Sequence, residues 1–135
     1  MILEYNVGGV ILFSRNIKEP EQLAALTRSL QKPADQPLLI STDQEGGLVN
    51  RIQGLTHFPS NMVLGAGGDA NLARLQGQAM GRELRVCGIN MNLAPVLDLN
   101  NNQANPVIGV RSYGEDPELA LAWAVLLLPA CRKKG

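Results

Sequence analysis

Aromatic residues are scarce in this sequence: two Phe, two Tyr and one Trp among 135 residues. Any core must therefore be mostly aliphatic. Histidine is scarcer still. His57 stands alone, in Thr56-His57-Phe58-Pro59, with no serine or cysteine partner motif, so no catalytic triad and no histidine-rich metal site can be built from it. The two cysteines, Cys87 and Cys131, have neither CxxC nor metal-ligand spacing and read as two buried thiols rather than a disulfide. There is no excess of either charge, with 12 Lys plus Arg against 12 Asp plus Glu, which argues against a nucleic-acid or anionic-membrane surface. Long apolar runs are missing too. The longest, Leu119 to Leu128, falls short of the ~20 residues a membrane span needs. No Asn-x-Ser/Thr acceptor and no N-terminal signal pattern occurs. The compartment, cytoplasmic or secreted, stays open.

What is present is a hydrophobic share of 45 %, enough for a packed core, in a length that suits one domain or less. Gly8-Gly9 opens the apolar run Val10 to Phe13, which reads as a strand buried on both faces. Pro20 and Glu21 suit the first turn of a helix with an apolar stripe at Leu23, Leu26 and Leu30, ended by Lys32-Pro33. A second strand runs from Leu38 to Thr42 and stops at Asp43, before Gly46-Gly47. Residues 44–71 form a long connection, rich in Gly, Asn and Pro, of the kind that is functional or holds a small extra element. Asp69 can cap a helix from Ala70 to Cys87 whose buried face is read as Leu72, Leu75, Ala79 and Val86, with Gly77 and Gly81 kept for close packing. Gly88 ends it. A third buried strand is expected within Ile89–Asp98, again ending in a carboxylate. Asp116-Pro117-Glu118 starts a last helix, in which Ala120 to Leu128 has no polar face and Pro129 is expected to act as the stop. This alternation predicts βα units and a parallel sheet, either doubly wound or barrel-forming.

The carboxylates Asp43, Glu45, Asp98, Glu115 and Asp116 are the candidates for chemistry. A pair flanking a bond is what glycoside hydrolysis requires, but sequence spacing does not show which two face one ligand. Asp43 reads as a ligand contact at a strand end. Asp98 is either a ligand contact or a turn cap, Asp116 a helix cap, and Glu115 its solvated neighbour. Arg15, Arg51 and Arg111 each follow an apolar or glycine-rich segment. Singly they read as surface charges. On a rim shared with Asp43, Arg51 and Arg111 become candidates for a hydroxyl-rich or anionic ligand. Gly65-Ala66-Gly67-Gly68-Asp69-Ala70 has the GxGxxA spacing of a dinucleotide loop, but only Met62 to Leu64 remains for the strand such a loop needs before it. A helix-entry loop is the better reading.

Several ordered motifs resemble glycoside hydrolase family 3. They are Gly8-Gly9-Val10-Ile11-Leu12-Phe13, then Asp43-Gln44-Glu45-Gly46-Gly47-x-Val49-x-Arg51, then Phe58-Pro59-Ser60-Asn61-Met62. The most specific runs from Asn92-Leu93-Ala94-Pro95-Val96-Leu97-Asp98 through Asn105-Pro106-Val107-Ile108-Gly109-Val110-Arg111-Ser112-Tyr113-Gly114-Glu115-Asp116-Pro117 and is similar to the β-N-acetylhexosaminidase branch. The likeness spans Tyr5 to Leu121. It implies an α/β fold, part of a (β/α)₈ TIM-type barrel with about three βα units. It implies a retaining reaction through an aspartate nucleophile and a covalent glycosyl-enzyme intermediate on terminal β-N-acetylglucosaminides, with no metal or organic cofactor. By position, Asp43, Arg51 and Arg111 would hold the sugar before the scissile bond. The implied partner is a small saccharide or glycoside, not nucleic acid or membrane.

The sequence also departs from that pattern. The branch carries its acid/base residues in a Lys-His-Phe-Pro-Gly-His-Gly loop, with the nucleophile further on, and neither is found here. Thr56-His57-Phe58-Pro59 is followed by Ser60-Asn61 instead and stands earlier in the motif order. Leu48 occupies a place where arginine is frequent. The family's first strand and helix would precede Met1. Residues 122–135 look like an atypical tail, with Trp123 to Lys134 lacking an amphipathic pattern, as a shifted reading frame would produce. The expectation is therefore an incomplete family 3 domain over 1–135 with part of the sugar site and no catalytic residue of its own. A non-catalytic sugar-binding or non-functional truncated module is the alternative.

Overall fold

The computed structural model describes residues 2–130, with side chains through residue 127. Cys131 and the basic run Arg132-Lys133-Lys134 lie outside the described residues, so the reading of Cys131 as a buried thiol is not addressed. Three parallel strands, β1 (Gly9–Leu12), β2 (Leu39–Thr42) and β3 (Met91–Asn92), lie in the order β1-β2-β3. Four helices accompany them: α1 (Pro20–Gln31), α2 (Asn61–Gly67), α3 (Ala70–Val86) and α4 (Pro117–Ala130). The residues form two compact units. One holds the chain up to Gln44 with 51–55 and 83–93, and the other holds 45–50, 56–82 and the chain from 94 on.

The first unit contains the sheet. Its register pairs Leu12 with Thr42 and Thr42 with Asn92, so the strands end together at one rim. Side-chain hydroxyls tighten β2: Ser41 Oγ donates to the Val10 carbonyl and Thr42 Oγ1 to the Leu12 carbonyl, both at 3.0 Å. The strands are not buried on both faces as their apolar runs suggested. Leu12 and Ile40 are buried, whereas Ile11, Leu39 and Met91 are at least two-fifths exposed. Successive side chains point to opposite faces, and the face bearing Ile11, Leu39 and Met91 buries only Ser41 among these residues. Helix α1 begins with Pro20 at its first turn, where the missing N–H costs nothing. It buries Leu23 and Thr27, with Leu26 and Leu30 only partly covered. Thr27 is held inside because its hydroxyl donates to the Cys87 carbonyl at 2.9 Å. Gly88 follows at φ +80, and a Cβ there would run into that same hydroxyl.

The second unit is helical. The long connection after β2 does hold an extra element, α2. A cluster of Leu64, Ala73, Tyr113, Ala120, Trp123 and Ala124 forms its core, with the Tyr113 and Trp123 rings 6.3 Å apart. The two caps read from the sequence are present. Asp69 Oδ1 accepts the Asn71 N–H, and Asp116 Oδ1 accepts those of Glu118 and Leu119.

Three expectations need correction. On α3 the inward residues are Ala73, Gln76, Gly77, Met80, Gly81 and Leu84, while Leu72, Leu75 and Val86 are exposed. The helix turns small residues inward, including both glycines. Strand β3 ends at Asn92, well before Asp98. Pro95 has no N–H to give a ladder, and the Asn92 side chain itself bonds the next residue of the β2 chain, Gln44. Finally, α4 continues through Pro129 to Ala130. Proline there forfeits one main-chain bond in the last described turn and does not stop the helix. The α4 residues Ala120, Trp123, Ala124 and Leu127 form a buried stripe at helical spacing, while Leu119, Leu121 and Val125 face outward and are more than half exposed.

Candidate functional site

Asp43 is the first residue after β2, so its carboxylate stands at the carboxyl end of a parallel sheet, the usual ligand side of such sheets. Arg51 Nη2 donates to Asp43 Oδ2 at 3.3 Å, with the two side chains 33 % and 22 % exposed. The contact is single and long. Asp43 Oδ1 has no hydrogen bond among the described residues, and the buried Arg51 Nε has no acceptor among them. The part-exposed Asp43 carboxylate thus keeps an acceptor for a ligand beside a guanidinium that is itself a third exposed.

Arg51 returns to Asp43 because the intervening chain folds back. Gly46 and Gly47 take φ +96 and +58, and an antiparallel bridge links Gly46 with Val49. A side chain at either glycine would strike Pro59 or Ser60, so only glycine fits here. The Gln44 side chain then closes the loop. Its Oε1 accepts the Arg51 N–H at 2.8 Å and the Ile52 N–H at 3.4 Å, and Ile52 is fully buried.

Arg111 is held in the second unit, by a different carboxylate. Its Nε donates to Glu45 Oε2 at 2.9 Å and its Nη2 to Glu45 Oε1 at 2.8 Å, a two-pronged fork. Glu45 is 5 % exposed and Arg111 28 %. The arginine ends a short 3₁₀ turn, Gly109–Arg111, entered through Asn105, whose Oδ1 accepts the Val107 and Ile108 N–H groups. Arg111 Nη1 donates to the Val107 carbonyl, and Asn61 Nδ2 donates to the Arg111 carbonyl at 2.7 Å. Both the head and the base of this side chain are fixed.

Of the three residues expected to hold a ligand, Asp43 and Arg51 are therefore brought together and Arg111 pairs with Glu45. The sequence reading counted Glu45 only among the candidate carboxylates, without a role of its own, and gave none to Gln44 or Asn92. The Asp-Gln-Glu-Gly-Gly turn was the one available signal, since it brings two carboxylates to one strand end. Asp98 is exposed, and it is its carbonyl that accepts a hydrogen bond, from Ser112 Oγ at 2.7 Å. Glu115 meets Gln103, and exposed Arg15 lies 4.8 Å over the Phe13 ring. His57 and Leu48 are exposed. The dinucleotide-like spacing falls on α2 and its glycine cap Gly68, so a helix stands where a strand would be needed. Burial pushes the Cys87 thiol up, and the nearby Glu21 and Glu83 carboxylates push it further. Burial also raises the Tyr113 phenol. No group of three or more metal-ligating side chains occurs among the described residues, and no helix among them is long and apolar enough to cross a membrane.

A parallel α/β sheet with a loosely held carboxylate and arginine at its strand ends defines a domain suited to hold a polar small molecule. More particularly, the chain belongs to the glycosyl hydrolase family 3 N-terminal domain family, whose model matches residues 1–135. The match includes the residues after Leu121. The chain is similar to Beta-hexosaminidase A of Pseudoalteromonas piscicida, with 44 % identity covering 100 % of this chain and 24 % of that protein. It resembles the structure of a glycoside hydrolase family 3 beta-N-acetylglucosaminidase from Paenibacillus, with TM-score 0.93, 52 % identity, and coverage of 96 % of this chain and 26 % of that one. It also resembles NagZ from Neisseria gonorrhoeae in complex with N-trifluoroacetyl-D-glucosamine, with TM-score 0.88, 37 % identity, and coverage of 96 % and 40 %. The chain thus spans between a quarter and two-fifths of these relatives' lengths.

Proposed function

We propose that this chain is the sugar-holding part of a β-N-acetylhexosaminidase-type retaining glycosidase, acting on terminal β-N-acetylglucosaminides. The observation that carries the reading is the loosely bound Asp43–Arg51 pair at the end of β2, joined by one long contact between side chains that are a fifth to a third exposed. Sugar hydroxyls both donate and accept, so a carboxylate beside a guanidinium can bind them from two sides. The family resemblance assigns a sugar-holding role to Arg111 as well, which in the second unit is aimed by Glu45. Holding a ring this way contributes to rate by fixing the reacting geometry. Zero net charge suits a neutral saccharide better than nucleic acid. The relatives named hexosaminidase and the NagZ complex with a glucosamine derivative support the same substrate class.

The strands and helices read as about three βα units of a (β/α)₈ barrel wall. The exposed face bearing Ile11, Leu39 and Met91 fits the inner side of such a wall. The sequence contains no Lys-His-Phe-Pro-Gly-His-Gly loop, so the acid/base chemistry is not assigned to any residue here.

Two measurements on the 135-residue chain test this. N-acetylglucosamine should bind saturably, with binding lost in Asp43→Ala. An aryl β-N-acetylglucosaminide should not be turned over. Binding that survives Asp43→Ala would sink the assignment of Asp43, and turnover would sink the view that chemistry lies outside these residues.

A further inference from the structure

We infer that Gln44, clasped by Asn92, is the positioning residue that sets the Arg51 guanidinium against Asp43. This rests on the sugar-holding reading for its ligand, though not for its geometry. Asp43 and Gln44 are neighbours just beyond β2, and they divide the work. Asp43 keeps a carboxylate oxygen open, whereas Gln44 is 2 % exposed.

The linkage can be followed bond by bond. Asn92 Oδ1 accepts the Gln44 N–H at 3.0 Å, and Asn92 Nδ2 donates to the Gln44 carbonyl at 2.8 Å. The Asn92 amide thus copies one further step of a strand ladder after the β3 main chain has made its last bond, from the Leu93 N–H to the Thr42 carbonyl. That clasp fixes the main chain of Gln44. The Gln44 side chain then crosses to the returning strand of the loop and accepts the Arg51 and Ile52 N–H groups. Arg51 in turn reaches Asp43 with only one guanidinium nitrogen. A single long contact holds so long a side chain weakly, so its reach to Asp43 depends on where the Arg51 main chain is placed, and Gln44 fixes that placement.

The same strand carries built-in controls. Asn90 makes a two-point bridge to the Ile40 N–H and the Leu38 carbonyl, and Gln31 makes the one-residue clasp on Leu38. Those amides brace the start of β2, away from Asp43. They should matter for stability and not for Arg51.

The test uses the full 135-residue chain and three readouts: the Arg51 Nε–H resonance with amide exchange at Arg51 and Ile52, affinity for N-acetylglucosamine, and Tm. Gln44→Met has similar length and no acceptor. It should move the Arg51 Nε–H signal and speed exchange at both amides about tenfold. It should weaken sugar binding about tenfold. Gln44→Glu keeps an acceptor and should hold affinity within about threefold of the parent. Asn90→Ala should lower Tm and leave the Arg51 signal and the affinity alone. If Gln44→Met does not fold, Asn92→Ala reads the chain one link earlier, with about threefold loss of affinity. A Gln44→Met or Asn92→Ala protein with lowered Tm but the parent Arg51 signal would overturn the proposal. A parent chain that binds no sugar, while Arg51 responds as described, would overturn the substrate reading and support the positioning role.

Discussion

Two carboxylates, Asp43 and Glu45, stand two positions apart in the chain, and each meets an arginine, but the two pairs are built differently. Asp43 and Arg51 share one contact of 3.3 Å between side chains that are a fifth to a third exposed. Glu45 and Arg111 share two contacts of 2.8 and 2.9 Å, and Glu45 is almost fully buried. The first pair leaves hydrogen-bonding capacity unused. The second consumes the carboxylate to aim the arginine. The difference teaches that one short turn can supply both a ligand-facing acid and a structural one, and that burial separates the two roles better than residue type does. An exposed pair contributes little to stability because water and side-chain entropy compete with it. A buried one is costly to break because the remaining charge is stranded.

Breaking the tight pair should give the largest effect. Arg111→Ala leaves the Glu45 carboxylate buried without its fork and should destabilise the chain by about 3 kcal/mol, measured by urea unfolding. A loss no greater than that of an ordinary surface substitution would erase the contrast between the pairs. Tyr113, two residues after Arg111, sharpens it from the uncharged side. Its buried hydroxyl has no hydrogen-bond partner among the described residues, so Tyr113→Phe should stabilise by about 1 kcal/mol. The pH dependence should change with it. Burial raises the folded-state phenol above its ordinary 10.0, so the unfolded chain ionises first. The tyrosine contribution is therefore complete below pH 10.0 and is lost as pH rises further. The phenylalanine variant should lack that part of the alkaline loss. Cys87 adds a similar loss beginning above its ordinary 9.0. A Tyr113→Phe chain with an unchanged alkaline limb would contradict this account. The smallest effect belongs to the loose pair, where Asp43→Asn should change stability by no more than about 0.5 kcal/mol.

The sequence showed some of this plainly. Strand β2 and the place of Asp43 were readable because an apolar run stops at a carboxylate and two glycines. The starts of α1 and α4 were readable because Pro20 and Asp116-Pro117 carry local, mechanistic signals. The inward face of α3 was misread. Large leucines at 72 and 75 suggested one face, but the helix turns Gly77 and Gly81 inward, and small residues carry little hydropathy signal. The Glu45–Arg111 fork joins residues 66 positions apart, and nothing local in either segment announces it. The Gln44 and Asn92 amides were invisible for a related reason. Polar side chains that replace main-chain bonds look, in sequence, like ordinary loop residues.

The contrast between the pairs is tested most directly by measuring Tm and N-acetylglucosamine affinity together in Asp43→Asn and Glu45→Gln. The account predicts that the two variants separate. Asp43→Asn keeps the parent Tm and loses sugar binding, whereas Glu45→Gln loses about 2 kcal/mol of stability because its fork is weakened. If Asp43→Asn binds sugar as the parent does, or if both variants lose Tm to the same extent, the division into a ligand-facing acid and a structural one is wrong.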